Sequence, residues 1–287
     1  MKKVLFIIVL AMSMLHASAK TALVVIAHGA PSDEWNQPVL DIEKQLNKVD
    51  IPGISYKRVA LMEFSSPNIN AVAKDCEREG IDTVFALPLF IAPSSHSEDD
   101  IPNILGLKYN PITRRALAEE NAEIVKSNIH FIIGPTLMSS DVIKKTMLQR
   151  IKEMSEETKD EGVLLLAHGD PERIGFWKSI LKETGDYIKE NTGIDYVDAR
   201  LVGMGNEFSK DVKPILAKAA AMKKRILVQG IYLMSSVSDM AKMAKMDKNQ
   251  KDIKATVVYS EYGILPKSTS EVCQWIVETT HDWLKNK

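Results

Sequence analysis

The feature that most constrains the fold is an internal repeat spanning roughly half the chain. Leu23 to Ala27 with His28-Gly29-Ala30-Pro31 returns as Val163 to Ala167 with His168-Gly169-Asp170-Pro171. Gly53-Ile54-Ser55-Tyr56 to Leu61 returns as Gly193-Ile194-Asp195-Tyr196 to Leu201. Thr83 to Ala92 with Pro93-Ser94-Ser95 returns as Arg225 to Leu233 with Met234-Ser235-Ser236, and Ile129 to Ile133 returns as Ala255 to Ser260. A unit this long is a lobe, not a solenoid repeat. Each unit alternates short apolar β-rich runs with helical patterns, which implies a parallel sheet joined by right-handed crossovers. The fold class is therefore α/β: two similar lobes, each a parallel sheet flanked by helices, with a cleft between them.

Within the first unit, Thr21 to Ala27, Tyr56 to Met62, Thr83 to Ile91 and Ile129 to Ile133 read as strands. Val39, Ile42 and Leu46 give helical spacing over Pro38–Lys48 after a loop from His28 to Asn36, and helices are also expected over Asn68–Glu79, Ala116–Lys126 and Asp141–Met154. Ser155 to Glu161, charged and poor in apolar residues, marks the boundary, giving lobes at 20–157 and 158–287 and a closing helix at Ser270–Leu284. Ahead of them, Lys2-Lys3, the apolar run Val4 to Leu15 and Ala17-Ser18-Ala19 have the form of a signal peptide cut after Ala19, so 1–19 is expected to be a leader and the mature chain periplasmic or otherwise exported, with no membrane span left.

Composition excludes several functions. The 37 basic and 38 acidic residues of the 287 leave a net charge of -1, which gives nucleic acid no electrostatic hold. Cys76 and Cys273 are the only cysteines and share no spacing motif, so they read as packing residues.

Chemistry concentrates at strand ends, where ligands bind in open α/β sheets. His28 ends the first strand, and His96 follows the third in the run Leu87 to Pro102. The second lobe repeats only one of them, since His168 matches His28 but Val237 stands opposite His96. Chemistry that needs two imidazoles is thus confined to the first lobe, with the second lobe as the far wall of the cleft. Two neutral imidazoles suit Co²⁺, Fe²⁺, Ni²⁺ or Zn²⁺ and form an exchangeable site, because structural zinc takes four protein ligands and catalytic zinc three. Glu63, ending the second strand on the same edge, reads equally as a third ligand, a base or a solvated strand-end carboxylate. The Glu98-Asp99-Asp100 run has a helix-dipole explanation, which is expected to account for at least one of the three.

His28-Gly29, Leu61-Met62-Glu63 with Pro67, and Pro88-Leu89-Phe90-Ile91 with His96-Ser97-Glu98-Asp99-Asp100-Ile101-Pro102 together resemble the CbiX/CbiK-like sirohydrochlorin cobaltochelatases, within the class II tetrapyrrole chelatases. The resemblance covers the whole chain after the leader as a duplicated lobe, and its specific part is the first half. It implies an enzyme that inserts a divalent metal, Co²⁺ first with Fe²⁺ or Ni²⁺ as alternatives, into a tetrapyrrole such as sirohydrochlorin. No prosthetic group is implied; the metal is a substrate. By the resemblance His28 and His96 bind the metal, and Glu63 is the candidate for assisting proton removal. Trp35, Pro93, Ser94, Ser95, His168 and Met234 are the candidates for contacting the macrocycle. His168 also reads as a relic of duplication, and Met234, Met240, Met243 and Met246 as an adaptable apolar face. The partners implied are the tetrapyrrole and the metal, with oligomeric state open. A second reading stays open: a periplasmic metal-, haem- or tetrapyrrole-binding protein on the same fold, without turnover.

Overall fold

The computed structural model describes residues 19–246 and 253–287. All but the last residue of the leader-like segment, including His16, lies outside the described residues. Eight strands, β1 (Thr21–Ala27), β2 (Tyr56–Leu61), β3 (Thr83–Pro88), β4 (His130–Ile133), β5 (Glu161–Ala167), β6 (Tyr196–Leu201), β7 (Arg225–Gly230) and β8 (Thr256–Tyr259), form two sheets. Their orders are β2-β1-β3-β4 and β6-β5-β7-β8, with every neighbouring pair parallel. The repeat extends to register, since Ala27 pairs with Leu61 as Ala167 pairs with Leu201.

Both central strands are fully buried, which is why they read as continuous apolar runs. Their alternate residues serve different cores. Leu23, Val25 and Ala27 of β1, with Val163, Leu165 and Ala167 of β5, face one core shared by both lobes. Ala22, Val24 and Ile26 face a separate core under α2 (Ile69–Arg78), α3 (Ile101–Ile104) and α4 (Pro111–Glu119). Leu164 and Leu166 face another under α7 (Asn206–Ala220) and α8 (Val237–Met243).

The shared core is built by an exchange of helices. Helix α5 (Val142–Met154), which closes the first repeat, packs on α6 (Ile174–Thr192) and β7 of the second lobe. Helix α9 (Thr269–Lys285), which closes the second, packs on α1 (Asp33–Leu46) of the first, and its Trp283 stacks on Phe85 of β3 with ring centroids 4.5 Å apart. Where the crossings meet, the buried Arg150 of α5 donates to Ser268 Oγ at 2.9 Å. The division at 157/158 thus separates the two sheets, while each closing helix packs on the opposite lobe. Among the described residues no helix is long and apolar enough to cross a membrane.

Three local expectations are corrected. Helix α1 starts at Asp33, ahead of Pro38, because Ser32 caps it by accepting from the Trp35 amide. Helix α4 occupies Pro111–Glu119 instead of Ala116–Lys126, because Asn110 caps it, Pro111 pre-forms its first turn, and Asn121 at φ 60° follows its end. The third strand stops at Pro88, three residues short of Ile91.

Ile276 of α9 is fully buried in the shared core. Ile276→Ala is expected to lower the unfolding free energy by about 2–5 kcal/mol. Because the core is shared, urea denaturation followed by fluorescence and by circular dichroism should give one coincident transition. Two separated transitions would show that the lobes fold independently.

Candidate metal centre and cleft

Hydrogen bonding carries the β1–β2 pairing past the strand ends. The Met62 amide donates to Ala27 O at 2.8 Å and the Glu63 amide to His28 O at 2.9 Å, so Glu63 is held beside His28. Gly29 is required at this crossing. It sits at φ 89°, and a Cβ there would lie 2.4 Å from Glu63 O. Buried Asn36 pins the loop by accepting from the Ala30 amide and donating to Ala30 O and Ser65 Oγ.

His96 opens a π-helical turn, His96–Asp100, that runs into α3. Such turns are rare and occur often at functional sites. Ser94 and Ser97 lock the entry, the Ser94 amide donating to Ser97 Oγ at 2.9 Å and the Glu98 amide to Ser94 O at 3.0 Å.

These elements bring His28, Glu63 and His96 together. One ligand atom from each lies within 4.8 Å of the others, the only such group among the described residues, and the two imidazole centroids are 4.8 Å apart at 79°. Glu63 Oε2 is 3.7 Å from His28 Nε2, and its side chain is almost buried. In each ring Nδ1 is engaged: that of His28 contacts Gly29 O at 2.8 Å and that of His96 contacts Asp100 Oδ2 at 2.7 Å. Both acceptors call for the proton on Nδ1, which leaves each Nε2 lone pair free for a metal. The hydrogen bond that His96 Nδ1–H donates to Asp100 raises the pKa of His96 above its ordinary value, ahead of the opposing effect of burial.

The acidic run after His96 divides its work. Asp100 orients His96. Asp99 binds Lys108, Thr113 and Asn110, tying the π-turn to α4. Glu98 reaches across the lobes to Arg173 at 2.7 Å, an ion pair two residues from His96. Sequence reasoning missed the specific role of Asp100, although its i,i+4 spacing from His96 could have shown it. It also missed Glu120, which lines a hollow with Glu63 and whose pKa is raised by burial and by the charges of Glu63 and Asp100.

His28 and His96 open onto an interlobe cleft of about 650 Å³. Of the residues expected to contact a macrocycle, Trp35, Ser94, Ser95, His168 and Met234 line it. Pro93 is the exception: it is half-buried and absent from the lining, the chain turning into the π-helix from Ser94 onward. The cleft continues into a wider hollow where Met204, Met234, Met240 and Met243 form an apolar side, while Met246 is buried in the second lobe's outer core. Cys76 and Cys273 are buried free thiols, each pushed up to about 11 by burial.

The second lobe keeps the frame without the donor set. The Val202 amide bonds Ala167 O at 2.8 Å, as Met62 bonds Ala27, but the next residue is Gly203 where the first lobe has Glu63. Val237, fully buried, begins α8 where His96 begins the π-turn.

The family model described as CbiX matches residues 22–154, the first repeat. A sirohydrochlorin cobaltochelatase of Methanococcus maripaludis is 34% identical over 86 residues, covering 30% of this chain and 58% of the relative. One of Sulfurisphaera tokodaii is 26% identical over 121 residues, covering 41% of this chain and 98% of the relative, which thus has the length of a single lobe. The solved structure of the sirohydrochlorin chelatase SirB from Bacillus subtilis subspecies spizizenii, in complex with cobalt, superposes with TM-score 0.62 at 14% identity, over 91% of this chain and 95% of that one. That of CbiX, the terminal enzyme of sirohaem biosynthesis in denitrifying bacteria, does so with TM-score 0.54 at 16% identity, over 89% and 97%. The two-lobed architecture is the chelatase fold.

Metal can bind His96 only when Nε2 is unprotonated. Because its pKa is raised, Co²⁺ affinity should be full above that raised value and fall as pH drops through it. Asp100→Asn removes the largest cause, so the midpoint should move to lower pH, while affinity at high pH should fall about 10- to 100-fold through lost basicity and orientation. Calorimetric Co²⁺ titrations across pH check this; an unmoved midpoint would show that Asp100 does not tune His96.

Proposed function

Because its first repeat matches the CbiX family model, we propose that this chain inserts a divalent metal, Co²⁺ foremost with Fe²⁺ or Ni²⁺ as alternatives, into a tetrapyrrole such as sirohydrochlorin. One observation carries the reading: two imidazoles with free Nε2 atoms converge at the wall of an interlobe cleft of about 650 Å³, with Glu63 beside them.

Metallation requires the ion to exchange its ligands for ring nitrogens and two pyrrole N–H groups to lose protons. Two imidazoles hold the ion loosely, leaving coordination positions for the incoming ring. Each imidazole is fixed at Nδ1, so neither must reorient as the ion leaves. Glu63, beside His28 and almost buried, is the base that takes pyrrole protons, and its proximity to the metal ligands keeps the transfer local. The apolar side of the cleft, from Leu89 to Ala92 with Ile231 and Leu233, accepts the ring faces, and Trp35 offers a stacking surface. The signal-peptide-like pattern of residues 1–19 supports an exported site for this activity, where the chain would meet metal and macrocycle outside the cytoplasm.

Absorbance of sirohydrochlorin with and without Co²⁺ tests the proposal. The wild type should metallate it. His28→Ala and His96→Ala should each fall to the uncatalysed rate, and Glu63→Gln should be slower by about 100-fold or more. Full activity in both histidine variants would contradict the assignment, whereas tight binding of the metallated ring without metallation would make the chain a carrier.

A further inference from the structure

The second lobe places one more imidazole on the cleft, and its surroundings are those of a ligand. His168 ends β5 as His28 ends β1, is exposed, and lines the same cleft as His28 and His96. Its Nδ1 contacts Gly169 O at 2.6 Å, so the proton belongs on Nδ1 and the Nε2 lone pair is free. This is the arrangement of a metal-binding histidine whose other nitrogen donates to a backbone carbonyl. Tyr232 lies near-parallel to the ring with centroids 6.1 Å apart at 16°, and Trp177 lies tilted at 5.4 Å, so two aromatic rings border the imidazole.

Both of those rings are more than nine-tenths buried and line the cleft, yet the Tyr232 hydroxyl and the Trp177 indole N–H have no hydrogen-bond partner among the described residues. Buried polar atoms are rarely left unpaired, and here they belong to the two rings nearest an exposed imidazole on a ligand-sized cleft.

What His168 can bind follows from what it lacks. A hydrated ion needs several converging protein ligands, and among the described residues no group of three that includes His168 could hold one: Val237 stands in place of the second imidazole and Gly203 in place of the carboxylate, although Asp170 and Glu172 line the same cleft. A metal already inside a macrocycle has four ring nitrogens and needs only one axial donor, as a single histidine supplies to haem iron.

Resting on the tetrapyrrole reading above, we propose that His168 is an axial ligand, binding through Nε2 the metal of a metallated tetrapyrrole held in the cleft. First-lobe donors then receive the free ion, and the second lobe recognises the ring once it is metallated. The chain thereby holds its product in preference to its metal-free substrate.

The test uses the full chain with preformed Co(II)-sirohydrochlorin under anaerobic conditions, so no turnover is needed. Electron paramagnetic resonance resolves one axial nitrogen as a three-line splitting of the cobalt lines. The splitting is expected in the wild type and in the His28→Ala/His96→Ala double variant, and is expected to vanish in His168→Ala and His168→Gln. Both His168 variants should also lose more affinity for the cobalt ring than for the metal-free ring. Splitting that persists in the His168 variants, or a wild-type complex without it, overturns the proposal while leaving the chelatase reading standing. Failure of either ring to bind the wild type overturns both.

Discussion

Two backbone hydrogen bonds that extend the β1–β2 ladder beyond its strands, from Met62 to Ala27 and from Glu63 to His28, are the constraint on which the site depends. They fix a carboxylate beside an imidazole without relying on either side chain's freedom, and they work only because Gly29 has no Cβ to strike Glu63 O. The third group arrives from β3 through the π-helical turn, with Asp100 fixing the His96 ring. A candidate metal centre assembled from strand ends inherits the rigidity of a buried parallel sheet.

The same frame built twice, then edited, explains the asymmetry of the molecule. Both lobes keep the strand order, the His-Gly end and the bond from the second strand's end back to the first. Only the first keeps the carboxylate and second imidazole, while Gly203 and Val237 leave the other lobe with His168 alone. Exchange of α5 and α9 between lobes, with Trp283 on Phe85 and Arg150 on Ser268, ties the two walls of the cleft to one core. Near His96, the Glu98–Arg173 pair adds a second, solvent-screened tie across the lobes.

Much of this was legible in the residues because burial on both faces makes a parallel strand a continuous apolar run, as in Leu23 to Ala27, and because the repeat doubles the evidence for each strand. The pairing of His28 with His96 was legible from strand-end placement alone. Helix limits were less so: the α4 start is decided by Asn110 capping and Pro111, which read as a polar connector when periodicity was the guide. The helix exchange was illegible, since α5 and α9 have ordinary amphipathic patterns that do not encode which sheet they cover. The tie of Glu98 to Arg173 and the place of Glu120 beside the site were missed for a related reason, because their partners Arg173, Glu63 and Asp100 are distant in sequence or brought near only by the loops.

The most direct measurement is a crystal structure of the chain with Co²⁺, its anomalous signal locating the ion. The expected result is a single strong site bonded to Nε2 of His28 and Nε2 of His96 at about 2.0–2.2 Å, with Glu63 in its surroundings and open positions facing the cleft. An ion bound elsewhere while both imidazoles stay free, or bonded through their Nδ1 atoms, would contradict the placement of the metal centre in the first lobe.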